Sequence, residues 1–212
     1  YDQTGSGTGG QSWYDMALAV SPTNAEEVYS GGINVWKSSN GGSAWNILTH
    51  WVHPATLGYV HADIHTLDFF GANLYCGSDG GLFKSTNAGV TWTDYSEGME
   101  IMQFYRFGVS AQNAYQIIGG AQDNGTNYFN NNTWTHVLGA DGMEAAIDPS
   151  NSQIMYGETQ SGGLNRTTDG GTTWSGIEPT GAGGAAWVMP YVIDPNNSAT
   201  LYAGYEEVWK TT

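Results

Sequence analysis

The segment Leu164–Trp174 reads LNRTTDGGTTW and combines a hydroxyl, an acid, adjacent glycines and a tryptophan in one short stretch. The side chains of Thr167 and Asp169 can accept hydrogen bonds from the backbone amides of a tight turn, and the glycines can adopt the positive φ that such a turn requires. The tryptophan then begins a returning strand. The segment therefore predicts the corner of a β-hairpin with an aromatic residue packed beside it.

This corner recurs as a box, defined here as hydroxyl, any residue, Asp or Asn, any residue, Gly, two further residues, Trp. The box tryptophans lie at positions 45, 92 and 174, and Trp134, after the asparagine turn 130–132, completes the series as a degenerate copy, with spacings of 47, 42 and 40 residues. Repeats of this length are typical of propellers. A further box begins at Thr211. The complete boxes are Ser38, Asn40, Gly42 and Trp45; Ser85, Asn87, Gly89 and Trp92; and Thr167, Asp169, Gly171 and Trp174.

A second repeated phrase sets the register of the repeats, because apolar strand endings run into glycine at 28–29, 74–75, 117–118, 155–156 and 201–202. The repeats span approximately 11–50, 60–96, 103–138 and 142–178, with an incomplete one at 187–212. Each complete repeat predicts four strands, which in the first are 16–20, 27–31, 34–38 and 44–48. Such small sheets bury their faces by packing as propeller blades. We predict an all-β fold, namely a partial β-propeller over 1–212 with about four and a half four-stranded antiparallel blades. We also predict that the sequence is a piece of a longer protein.

Composition supports the fold class and excludes several functions. The 212 residues include 31 glycines, and 13% are aromatic, which favours short strands and tight turns over helices. Five basic residues against twenty acidic ones give a formal charge of −15, which opposes binding to nucleic acid or to an anionic membrane surface. No apolar run is long enough to insert into a membrane. The single cysteine, Cys76, is predicted to be an inert core thiol.

The boxes resemble the Asp-box, or BNR, repeat of β-propellers. Longer phrases, including HADIHTL, GSDGGLFKS and IIGGAQDNGT, resemble secreted bacterial sortilin-like (VPS10-like) Asp-box proteins of the Bacteroidetes type, and the likeness extends more distantly to xyloglucanase-type glycosidases and sialidases. The resemblance implies a propeller that is secreted or lies at the surface of a bacterial cell. It does not by itself imply an activity, because the group is functionally diverse.

Strand direction predicts which residues share the end of the blades opposite the boxes. Acids beside exposed tryptophans suit carbohydrate, since sugars stack on indole rings while carboxylates accept bonds from hydroxyls. The alternative is that the acids are only solvated and the aromatics wedge adjoining blades together. The predicted ligand-binding residues are Trp13, Trp51, Trp187, Asp123 and Glu158, within a larger set on this end that also includes Asp15, His61, Asp63, Asp79, Asp141, Glu144 and Glu206.

Glycoside hydrolysis requires two carboxylates that flank one bond. The predicted catalytic pair is Asp63 with Asp141, with Asp15 and Glu144 in reserve, and the substrate would be a neutral polysaccharide. The alternative for Asp141 is a loop tied by its own carboxylate. Sialidase activity is set aside, because the arginine triad that the resemblance would require cannot be assembled from Arg106 and Arg166, the only arginines of the chain.

Two metal sites are conceivable from the sequence. His61, Asp63 and His65 alternate, so a strand would direct all three side chains to one face, where a transition metal could bind if His53 folds over them. The alternative is that these imidazoles bond to the backbone of neighbouring blades. Asp79 and Asp123 stand beside glycines in loops that could supply oxygen ligands to a structural calcium.

These observations leave two functional classes. The first is a noncatalytic extracellular module that binds a glycan or another protein, and the second is part of an endo-acting glycoside hydrolase. In either case we expect the rest of a parent chain, or another chain, to complete the propeller ring.

Overall fold

The computed structural model describes residues 11–52, 55–99 and 101–211, and within them the fold is all-β, as predicted. The strands form five antiparallel sheets in which each strand pairs with the next along the chain. Four sheets have four strands and one has three, which is the up-and-down arrangement of propeller blades. The chain divides into two compact units, 1–100 and 101–212.

The first unit contains two sheets. One consists of β1 (Ala17–Val20), β2 (Val28–Gly31), β3 (Val35–Ser38) and β4 (Asn46–Ile47), and the other of β5 (Ile64–Phe70), β6 (Asn73–Ser78), β7 (Gly81–Ser85) and β8 (Thr93–Asp94). The outermost strand of each sheet is only two residues long, shorter than the predicted 44–48, and the tryptophan just before it donates a hydrogen bond from its indole nitrogen back to the preceding turn.

Alternation of buried and exposed residues along β1 turns one face of the first sheet toward the second. Tyr29, Val35, Ile64 and Leu74 are buried in the shared core. Cys76 is buried with them, and this burial raises the pKa of its thiol to about 12. The cysteine is therefore the inert core residue that the sequence predicts.

The second unit contains three sheets. Their strands are β9 (Phe104–Val109), β10 (Gln116–Ala121), β11 (Gly125–Asn130) and β12 (Thr133–Leu138); β13 (Gly142–Ile147), β14 (Met155–Thr159), β15 (Gly163–Thr167) and β16 (Ser175–Gly176); and β17 (Tyr191–Ile193), β18 (Leu201–Gly204) and β19 (Val208–Lys210). Ile118 and Met155 belong to a core formed between the first and second sheets of this unit. Leu164 and Leu201 belong to a core formed between its second and third sheets. A 3-10 turn, Gln160–Gly162, joins β14 to β15.

The three boxes form the same turn. In the first, Ser38 Oγ donates to Asn40 Oδ1 at 2.9 Å and accepts from the Gly42 amide at 2.8 Å, while Trp45 Nε1 donates to the Gly42 carbonyl at 3.0 Å. The boxes at Ser85 and Thr167 repeat these bonds. Hydrogen bonds from the Thr173 side chain and amide lower the pKa of Asp169 to about 2, so this acid stays ionised as a turn acceptor.

The degenerate copy at Trp134 has the predicted position but not the predicted bonds. A two-residue turn at Asn131 and Asn132, with φ of 48° and 70°, connects β11 to β12 directly. Trp134 lies on β12, 50% exposed, and packs beside Phe104 and Phe129. The interpretation of this turn as a box is therefore corrected, because adjacent left-handed asparagines close the hairpin without a hydroxyl or a tryptophan anchor.

Candidate functional site

In each unit polar and aromatic residues, only some of them predicted, gather where the chain begins the first strand of a sheet and where the second strand turns into the third. We call the set in the first unit the first rim: Gln11, Trp13, Tyr14, Asp15, Asp63, His65 and Asp79. The second rim, in the second unit, consists of Tyr105, Gln122, Asp123, Asp141, Gln160 and Trp187. The two rims are described separately.

Two aspartates of the first rim share hydrogen bonds. Asp15 precedes β1, Asp63 precedes β5, and their carboxyl groups bond to each other. Gln11 Nε2 donates to Asp15 Oδ2 at 3.2 Å and also to Asp63 Oδ1. Burial, followed by the charges of Asp15 and Asp79, raises the pKa of Asp63 to about 6. Burial also raises the pKa of Asp15, which is 1% exposed. The structure thus brings Asp63 together with the reserve aspartate of the sequence prediction.

Beside this pair, Asp79 links an aromatic and an imidazole ring. Tyr14 Oη donates to Asp79 Oδ2 at 2.9 Å, and His65 Nε2 lies 2.6 Å from Asp79 Oδ1. The Tyr14 and His65 rings meet edge to face with centroids 4.9 Å apart. Both carboxylate oxygens of Asp79 therefore have partners within the rim. A structural calcium at the Asp79 and Asp123 loops stays a prediction, and a change in melting temperature on addition of EGTA would test it.

The predicted transition-metal triad is corrected by the backbone. Asp63 has φ 66° and lies before β5, and the strand pairing shifts register between Ile64 and Thr66. Because strict alternation is lost there, His61, Asp63 and His65 do not bring three ligand atoms within 4.8 Å of one another. His61 Nδ1 instead lies 3.3 Å from the adjacent carbonyl of Ala62. His53, which was expected to complete the set, lies outside the described residues.

Aromatic surface adjoins the acids of the first rim. Trp13 is 86% exposed, and its ring centroid lies 5.8 Å from that of Tyr14. Trp51 is also exposed, on the loop between the two sheets of this unit. Gln11 and Tyr14 were missed in the sequence, although Tyr14 stands directly between the two predicted rim residues Trp13 and Asp15.

The second rim is organised by backbone-to-side-chain bonds around Asp141. Asp141 Oδ1 accepts from the Asp123 amide at 2.8 Å, and the Asp141 amide donates to Gln160 Oε1 at 3.2 Å. Asp123 and Ala140 both have positive φ, at 57° and 63°. These bonds agree with the second interpretation of Asp141 given in the sequence analysis, in which its carboxylate holds the loop in place instead of acting in catalysis.

Trp187 is held at the second rim by its indole nitrogen. Its Nε1 donates to Tyr105 Oη at 3.1 Å, and Tyr105 Oη donates to Gln122 Oε1 at 2.8 Å. The ring nevertheless remains 51% exposed. Tyr105 and Gln122 carry no signal in the sequence, because only the fold brings residues so far apart in the chain to Trp187.

Of the two glutamates predicted in the second unit, Glu158 has a different place from the predicted one, and the reserve catalytic role of Glu144 stays a prediction. Glu158 was predicted to contact ligand, but it is fully buried, with its carboxylate bonded to backbone amides and out of reach of a ligand. Glu144 lies partly buried on β13, where Arg106 Nε is 3.7 Å from Glu144 Oε2. Burial raises the pKa of Glu144 and, to about 7, that of Glu158.

No family model matches the chain, and no curated protein matches its sequence. The chain resembles a GH74 enzyme of Niastella koreensis, with 20% sequence identity over 92% of this chain and a TM-score of 0.43. It also resembles a GH74 xyloglucanase of Xanthomonas campestris, with 17% identity over 91% of this chain and a TM-score of 0.44. A third similar structure is YCF48 of Cyanidioschyzon merolae, with 14% identity over 87% of this chain and a TM-score of 0.37. The chain covers 36% of each GH74 protein and 65% of YCF48.

The sheet topology defines the class: this is an all-β chain built from propeller-type blades. No helix among the described residues is long and apolar enough to cross a membrane.

Proposed function

We propose that the protein is a secreted or cell-surface propeller module of the Asp-box type that binds a neutral glycan through its rims. The observation that carries this proposal is the 86% exposed indole of Trp13 beside Tyr14 and the carboxyl groups of the first rim. An exposed indole offers a stacking face to a sugar ring, and neighbouring carboxylates accept bonds from its hydroxyls. The net charge of −15 disfavours an acidic glycan.

Binding fits the first rim better than catalysis does. Asp15 and Asp63 bond to each other. A retaining glycosidase needs carboxyl groups about 5 Å apart on either side of the scissile bond, and an inverting one needs a wider gap. Carboxyl groups in direct contact leave no room for a sugar between them, whereas they can still accept hydrogen bonds from a sugar beside them.

The test is calorimetric titration with a panel of neutral polysaccharides. Loss of a stacking contact should weaken binding about tenfold in Trp13→Ala and in Trp187→Ala. Trp134→Ala is the matched control, because its ring is as exposed as that of Trp187 but lies on the outer strand β12, away from the rim. Absence of binding to every polysaccharide, or equal weakening in the control, contradicts the proposal and favours a protein partner.

A second candidate is endo-acting hydrolysis of a neutral polysaccharide. It is favoured by Asp63, whose carboxyl has a pKa of about 6 and can therefore donate a proton near neutral pH. The expected result for this candidate is release of reducing ends that is lost in Asp63→Asn and is kept in Asp68→Asn, an exposed aspartate on β5. Binding without any release of reducing ends excludes it.

A further inference from the structure

Neighbouring sheets of the second unit pack in one repeated way. Ile147 on β13 lies in a core with Ile118 of the sheet before it. Tyr191 on β17 lies in a core with Tyr156 of the sheet before it. Each of these first strands is therefore buried on the side that packs against the sheet before it, which we call the preceding face of its sheet. The opposite side, which packs on the sheet that comes next, is the following face.

The first sheet of the chain has a preceding face of the same construction, but this face is open to solvent. Val20 on β1 is opposite Val28 on β2. Ile147 on β13 has the matching position, opposite Met155 on β14. Leu18 lies two residues before Val20 and shares its face, because side chains alternate along a strand. Leu18 is 67% exposed and Val20 is 49% exposed, whereas Ile147 is buried.

Following faces share a second feature, which is a cation of the third strand placed over a tyrosine of the second strand. In the first sheet Lys37 Nζ lies 5.2 Å from the centroid of the Tyr29 ring. The same ring meets Phe69 of the second sheet edge to face, with centroids 5.4 Å apart. The cation and the tyrosine are opposite each other in every such pair, and the pairs are Tyr29 with Lys37, Tyr75 with Lys84, Tyr156 with Arg166 and Tyr202 with Lys210.

The last sheet carries one of these pairs on a following face that is also open to solvent. Lys210 Nζ lies 5.6 Å from the centroid of the Tyr202 ring. Val192 is opposite Tyr202, and Val208 is opposite Gly204, two residues further along β18. Val192 is 62% exposed and Val208 is 76% exposed. This face therefore has the features with which the chain covers a preceding face elsewhere.

We propose that copies of this chain associate head to tail, with the following face of the last sheet of one copy docked on the preceding face of the first sheet of another. The occupant is a second copy because one chain carries both halves of the contact, each in the strand register of the packed pairs. Burial of Leu18, Val20, Val192 and Val208 would drive the association. The net charge of −15 opposes it by repulsion, which salt screens. The association does not depend on the proposed glycan function.

Sedimentation velocity over a range of protein concentrations measures this association. In about 0.15 M salt the mass of the wild type should rise with concentration to about twice that of one chain or more, because a head-to-tail contact leaves one free half at each end. Leu18→Lys and Val192→Lys should each weaken the association about 100-fold or more, since an unpaired ammonium group would be buried in the contact. Val90→Lys is the matched control: Val90 is an exposed valine in the box turn of the second sheet, and this variant should associate as the wild type does.

Mixing the two variants tests whether the contact joins two different faces. Leu18→Lys keeps the half of the contact that Val192→Lys has lost, and the reverse also holds. An equimolar mixture should therefore form a dimer although each variant alone is monomeric. Recovery in the mixture also shows that both variants are folded. Leu18→Ser and Val192→Ser, which add no charge, replace a lysine variant that does not fold.

A wild type that stays monomeric at every concentration overturns the proposal, and a mixture of folded variants that stays monomeric does the same. Equal weakening in Val90→Lys would mean that the added charge alone disrupts the association, which also overturns it. If Val192→Lys still dimerises while Leu18→Lys does not, two first sheets meet face to face, and the head-to-tail contact is wrong.

Discussion

At the scale of single residues, Asp63 combines an unusual backbone conformation with an unusual carboxyl group. Its φ of 66° is in the left-handed region, which Asp and Asn tolerate better than other residues with a side chain. The same residue bonds to Asp15 and to Gln11. This conformation places the carboxyl group beside that of Asp15, and burial, followed by the charge of Asp15, favours the protonated form of Asp63.

We predict that Asp63→Asn stabilises the protein at neutral pH. A raised pKa means that Asp63 contributes stability below pH 3.8, and this contribution is lost as the pH rises through about 6. The uncharged Asn keeps the backbone conformation and avoids this loss, so the free energy of unfolding at pH 7.5 should rise by about 1–2 kcal/mol, an amount reduced for partial solvent screening.

Urea denaturation at pH 4 and pH 7.5 checks this prediction. The advantage of Asp63→Asn should disappear at pH 4, and Asp68→Asn, the control that removes the same charge from an exposed site on β5, should change stability by less than about 0.5 kcal/mol. A variant that is less stable than the wild type at pH 7.5 contradicts the prediction.

Residue types and local order predicted the rims only in part. Trp13, Asp15 and Asp63 could be assigned to one end of the blades from strand direction alone. The partners Gln11, Gln122 and Tyr105 could not, because the bonds of Gln11 to Asp63 and of Tyr105 to Trp187 join separate repeats, and the bond of Gln122 to Tyr105 depends on the exact strand register. Glu158 was misassigned because its place in the sequence is that of a rim acid, whereas in the fold its carboxylate is buried and bonded to the amides of Glu144 and Met189, in other repeats or strands.

At the scale of the element, the box builds its turn from local bonds. Its hydroxyl is buried and bonded to the acid or amide two residues later and to the glycine amide, while its tryptophan returns to the glycine carbonyl. The spacing of these residue types is enough to predict the turn. The outermost strand has two residues in the three sheets that contain a box and six at β12, where the turn is not a box.

We predict that Ser38→Ala lowers the free energy of unfolding by about 1–3 kcal/mol, because it removes a buried hydroxyl and leaves the Gly42 amide without its acceptor, whereas the exposed Asn40 Oδ1 still accepts from the Ala44 amide. Ser43→Ala, an exposed serine in the same turn, is the matched control and should change stability by less than about 0.5 kcal/mol. Thermal or urea unfolding of both variants measures the difference. Equal changes in stability in the two variants would show that the hydrogen bonds of the Ser38 hydroxyl do not stabilise the box turn.

At the scale of the whole molecule, neighbouring sheets of the second unit approach each other along glycine-containing first and second strands. A Cβ atom added at Gly120 on β10 would lie 2.1 Å from the Met143 carbonyl oxygen, and one at Gly108 on β9 would lie 2.8 Å from the Ala145 carbonyl oxygen. These contacts are with backbone, which cannot move aside as a side chain can. The glycines therefore set the distance between the blades.

We predict that Gly120→Ala destabilises the protein by about 3 kcal/mol or more, since the added methyl group overlaps the backbone of β13. The control is Gly139→Ala, at a position where an added Cβ meets nothing within 4 Å. Differential scanning calorimetry compares the two. A melting temperature of Gly120→Ala within error of the control would mean that the sheets can separate at little cost.

The order of the strands in each sheet has a consequence for synthesis on the ribosome. Because every strand pairs with its neighbour in the chain, each sheet is complete once its own repeat has been translated, and it needs no partner from a later repeat to close its ladder. Contacts of low sequence separation form early and quickly. The blades can therefore fold one after another as they emerge, and each finished blade offers a face on which the next can assemble.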